Sequence, residues 1–120
     1  MVYPPATWPE LDRALQNELG YVEEHLEDYP GYSILQLCRI IYSYETKDVV
    51  VSKVEAADWA CAELGDWKRH VELARKWYSR QTGPDEVGFM TAGLGDLLRF
   101  AKARIEALRS DSVELGRDGR

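Results

Sequence analysis

"SILQLCRIIYSYET", Ser33 to Thr46, is the stretch on which the fold turns. It is almost wholly apolar, aromatic or small, and Arg39 puts a permanent charge in its middle. Read as a helix, it gathers Gln36, Arg39, Ser43 and Thr46 into one narrow polar stripe, because residues three and four apart share a face. Apolar residues flank that stripe on both sides, so the helix should be central and mostly buried. A stripe of this kind either faces a cleft or finds an acid inside the bundle. Two fates for Arg39 therefore stay open. One is an ion pair with Glu55 or Asp58. The other is a guanidinium aimed at an anion such as phosphate.

Upstream, "TWPE" reads as a capping box, with Thr7 as N-cap, Glu10 three residues on and Pro9 in the first turn. Leu11, Leu15, Leu19, Val22 and Leu26 follow at spacings of a single amphipathic face. "YPGY" should stop that helix at Pro30 and Gly31. The segment "EEHLED" before it sets Glu23 against Glu27 and Glu24 against Asp28 at the unfavourable end of the helix dipole. It is either a solvated face or an acidic wall for a polycation.

Downstream, "TKDVVVSK" is a connector, and a lone extended piece there would have no strand to pair with. "SKVE" is a second capping box, Ser52 with Glu55. Lys53 opens the helix behind it, where free N–H groups already favour anions. Lys53 is either a solvated first-turn lysine or a point charge for an anion site. That helix should run to Leu64 and end at Gly65. Asp66 is the expected cap of the next helix, whose face carries Val71, Ala74, Trp77 and Tyr78 and which should stop near Gly83-Pro84. Leu94, Leu97, Leu98, Ala101, Ile105 and Leu108 mark a last helix, with Gly88, Gly93 and Gly95 obscuring its start. Residues 110–120 are polar and read as a disordered tail. Together these segments predict an all-α bundle of about five helices over residues 1–109 with short connections.

At 120 residues the chain fits one domain with a modest core. A formal net charge of −6 argues against a general nucleic-acid binder and leaves room for a cationic partner. No apolar run is long enough to span a membrane, and the first residues lack the features of a secretory signal, which points to a cytoplasmic protein. Cys38 and Cys61 lie in apolar helical patterns and read as small buried hydrophobes. Trp8, Trp59, Trp67 and Trp77 read as core or helix-end packing, with room for one of them to stack on a ligand. No catalytic constellation is complete. His25 and His70 have neither zinc-ligand spacing nor the Arg-x(4–6)-His spacing of helical ribonucleases. There is no phosphate-cradling Gly-rich loop after a strand and no Asp-x-Asp pair for magnesium.

One longer pattern stands out. Leu35, Leu37, Cys38, Arg39 and Ile40, then Thr46, Ser52 and Lys53, then Ala56, Ala57, Trp59 and Ala60 resemble the C-terminal helical domain of aminoglycoside nucleotidyltransferases, which adenylylate streptomycin and spectinomycin. "WPELDRALQNEL" and "FAKARIEAL" carry the similarity outward to roughly residues 7 to 108. The resemblance implies an antibiotic-resistance transferase in which a separate N-terminal domain supplies the metal-binding acids and the base. It implies that Arg39 and Lys53 contact ATP phosphates. It also implies that acids just before the Arg39 helix meet the cationic drug. Glu24, Asp28 and Tyr32 are the matching substrate candidates; the family's loop tryptophan has no counterpart here, and Tyr29 and Tyr32 stand in its region.

The chain goes from Met1 straight into the helical domain, which suggests a stand-alone reading frame, a degenerate resistance gene or a fragment. By itself it should not transfer a nucleotide, and ATP-Mg should matter only with a catalytic partner domain. Two other readings remain: a helical interaction or oligomerisation module without ligand function, and the non-catalytic half of a split nucleotidyltransferase pair.

Overall fold

The computed structural model describes residues 8–48 and 51–118, with side chains through Ser110. The five predicted helices form: α1 (Trp8–Glu24), α2 (Pro30–Thr46), α3 (Lys53–Glu63), α4 (Lys68–Tyr78) and α5 (Pro84–Asp118). A 3-10 turn, Gly65–Trp67, links α3 to α4. No strand occurs among the described residues, and no helix there is long and apolar enough to cross a membrane.

The quoted stretch is the central helix. Ile34, Leu37, Cys38, Ile40 and Ile41 have no exposed surface, and Tyr44 has 1%. Around α2 pack Leu15, Leu19 and Val22 of α1, Val71 and Ala74 of α4, and Leu94, Leu97, Ala101 and Ile105 of α5. Side-chain contacts give the helix directions. Trp8 and Asp12 reach Tyr44, while Glu18 reaches Gln36, so α1 runs antiparallel to α2. Lys53 lies over the Tyr32 ring and Trp59 against Tyr42, so α3 runs parallel to α2.

Asp58 pairs with Arg75, and Lys76 with Glu86, so α4 returns antiparallel and α5 goes out again. One end of the bundle thus collects the start of α2, α3 and α5 and the end of α1 and α4.

Several boundaries differ from those the sequence predicts. Pro30 and Gly31 do not stop α1; they begin α2, where a missing N–H costs nothing. Gly31 is needed there because a Cβ would collide with the Trp77 ring. α1 ends at Glu24, so the repulsive pairs in "EEHLED" are not helical neighbours: Glu27 and Asp28 lie in the turn, Glu23 pairs with Lys102 at 3.1 Å, and Asp28 pairs with His25. Asp66 does not cap α4, because the chain tightens into the 3-10 turn and Trp67 takes the N-cap position with no side-chain bond. α4 ends at Tyr78 rather than at Gly83-Pro84, and the chain turns through Arg80 at φ 61°.

Pro84 then opens α5, with Glu86 reaching back to the Gly83 N–H. Gly88, Gly93 and Gly95 sit inside α5, and Gly93 makes room for His70. α5 continues to Asp118, over residues read as a tail, since no proline interrupts it. Ser52 does cap α3, accepting from Glu55 N at 3.1 Å. Thr7, the other expected cap, lies outside the described residues. Tyr78 is exposed and Cys61 half-buried, because each lies at the edge of its helix's inner face.

Candidate functional site

The polar stripe of α2 divides. Gln36 is buried and donates to Glu18 of α1 at 3.1 Å. Ser43 and Thr46 donate back to carbonyls of their own helix, Arg39 and Tyr42. Arg39 alone is left over. It is half-buried, and its guanidinium makes no hydrogen bond or ion pair among the described residues. Asp58, one of its two expected acids, is held by Arg75 at 2.7 Å. Glu55 stays on the exposed side of α3.

Tyr32, Leu35 and Arg39 share one face of α2, at spacings of three and four. Leu35 lines a recess at its level, and Arg39, one turn further along α2, is in the lining of neither cleft described below. Lys53 occupies the level of Leu35. Its ammonium is 5.2 Å from the centre of the Tyr32 ring. It also lines a small cleft of about 460 Å³ with Leu35, Ser52, Arg75, Tyr78 and Ser79. Two cations and the first turn of α3 thus meet in one recess. The sequence pointed to Lys53 there; Arg75 and Tyr78 were missed as cleft residues, since only the return of α4 along α3 brings them in.

A second, larger cleft of about 990 Å³ opens beside it. Tyr21 and His25 from α1 and its turn, Tyr29 and Tyr32 at the start of α2, and Trp77, Tyr78 and Arg80 at the end of α4 form its walls. Tyr32 thus lies in the lining of this cleft. Glu24 and Asp28 are outside this lining. Glu24 is the exposed last residue of α1, and Asp28 is turned to His25 Nδ1 at 3.0 Å. The tyrosine ring of residue 78 is a wall of both clefts.

Elsewhere the titratable groups have structural causes. Burial pushes the Cys38 thiol up to about 12. Burial lowers the His70 pKa; the ring stacks on Phe89 with 4.6 Å between centres, and its Nδ1 has no partner. No three His, Cys, Asp or Glu side chains gather to hold a metal among the described residues.

Four helices joined by short connections around the buried α2, with two recesses at one end, define an all-α bundle domain. The family model of the aminoglycoside adenylyltransferase C-terminal domain matches residues 2–103, and the chain belongs to that family. No curated protein and no solved structure matches the chain significantly.

Proposed function

We propose that this domain contributes phosphate contacts, through Arg39 and Lys53, to an ATP-dependent nucleotidyltransferase whose catalytic acids lie on another domain. The observation that carries the reading is Arg39. A half-buried guanidinium without an acid partner is costly unless something anionic meets it. It sits one turn from the recess where Lys53, Arg75 and the first turn of α3 already favour phosphate. The residues present fit a polyphosphate, and magnesium would have to be held by the partner domain's acids. Of the residues that the resemblance assigns to a cationic aminoglycoside, Tyr32 lines the larger cleft and Glu24 and Asp28 do not, so the proposal is confined to the phosphate contacts.

The test is a titration of ATP-Mg and of tripolyphosphate into isotope-labelled protein, following backbone amides and the Arg39 side chain. Shifts should centre on Arg39 and residues 52–54. Arg39→Met should abolish them while changing stability by no more than about 0.5 kcal/mol, because no buried carboxylate is stranded. A loss near 3 kcal/mol, or shifts unaffected by the substitution, would show Arg39 to be a structural residue.

A further inference from the structure

The larger cleft does not have the chemistry of a polycation site. Five aromatic rings face it, and three of them, Tyr21, Tyr29 and Tyr78, are 57%, 62% and 60% exposed. No carboxylate is in its lining. Asp28 pairs with His25, itself a lining residue, and Glu23 pairs with Lys102. The cation in the lining, Arg80, makes no ion pair among the described residues. The phenol hydroxyls of Tyr21, Tyr29, Tyr32 and Tyr78 likewise make no hydrogen bond there, in contrast to Tyr44, whose hydroxyl is bonded on α1.

We propose that this cleft binds a planar aromatic ligand bearing one negative charge. Tyrosine and tryptophan faces give a flat ring offset or edge-on stacking. Phenol hydroxyls and a guanidinium are donors, and donors converge on an acceptor such as a carboxylate or sulfonate. A polycation would meet Arg80 as a like charge and would find no acid within the walls. The volume of about 990 Å³ is in the range of small-molecule sites, well above what one fused ring system fills. Arg80 is held at the rim by the turn itself: its N–H donates to the Trp77 carbonyl at 2.8 Å, which fixes it beside the ring it would work with. The inference is independent of the phosphate contacts at Arg39 and Lys53.

Three probes separate the possibilities: naphthalene-2-sulfonate, the same-shaped cation naphthalen-2-ylmethylammonium, and spermine. Binding is read from the Trp77 indole resonance and from amides of residues 21–32 and 77–82. The sulfonate should saturate these shifts at least about tenfold more tightly than the ammonium, and spermine should leave them unmoved. Arg80→Gln should remove most of the preference, and Tyr29→Ala should weaken both naphthalenes several-fold. Both substitutions are at exposed positions, so the rest of the spectrum should stay that of the wild type. Equal or tighter binding of the ammonium, an Arg80→Gln variant that keeps the preference, or no saturable binding of the sulfonate would each overturn the proposal. Tripolyphosphate shifts at Lys53 in the same samples report the phosphate reading separately.

Discussion

Tyr44→Phe removes a single oxygen from the bundle, and its cost follows from what that oxygen touches. The hydroxyl is on a side chain with 1% exposure. It donates to Asp12 Oδ1 at 2.5 Å and accepts from Gln16 Nε2 at 3.0 Å. Arg109 of α5 grips the same Asp12 carboxylate at 3.0 Å. The ring fits unchanged in the variant, so the loss is that of a hydrogen bond to a charged acceptor, about 2 kcal/mol. For a 120-residue domain that is a fall in melting temperature of roughly 8 °C.

Alkaline pH gives an independent check. Burial, followed by the bond to Asp12, raises the Tyr44 pKa from 10.0 to about 12. Above pH 10 the unfolded chain therefore loses this proton more readily than the native one. The stability tied to Tyr44 is complete below pH 10 and declines as pH rises toward 12. Urea unfolding followed by far-UV circular dichroism, at pH 7 to 11.5, should show a constant gap between wild type and variant up to pH 10 and a narrowing gap above it. A loss under 0.5 kcal/mol at pH 7, or a gap that widens above pH 10, would refute the reasoning.

Gly31→Ala should cost about 2 kcal/mol in chemical denaturation, because a Cβ there meets the Trp77 ring. Acid should also weaken the fold through His70: burial lowers its pKa below 6.5, so the stability it gives is present above pH 6.5 and is lost as pH falls through the native value. His70→Gln should flatten that part of a melting-temperature profile between pH 7 and 5. Thiol labelling of native protein should modify half-buried Cys61 slowly and leave Cys38 untouched until unfolding.

The central helix was legible because fourteen residues from Ser33 to Thr46 alternate nothing and bury nearly everything. The Ser52 cap was legible because its chemistry is local. Helix ends at Pro30 and Pro84 were not, since proline marks a boundary without saying which side of it is helix. Long-range placement was the harder part. Nothing near "EEHLED" shows that Glu23 will meet Lys102, which is 79 residues away. Nor does the sequence around Lys53 reveal that α4 will return alongside it with Arg75 and Tyr78. Arg39 was identifiable as unusual from its neighbours alone, but that Asp58 would be held by Arg75 was not.

Tyr78 is a partition between two rooms. Its ring closes one side of the recess at Lys53 and one side of the aromatic cleft, and it is tethered by a single chain at the very end of α4. A guest that turns the ring to suit itself alters the shape of the neighbouring room. Thermodynamics makes such an influence mutual: whatever factor an anion at Lys53 applies to the affinity of an aromatic guest, the aromatic guest applies to the anion. Any influence passed through Tyr78 would be equal in both directions, because the residue lines both clefts.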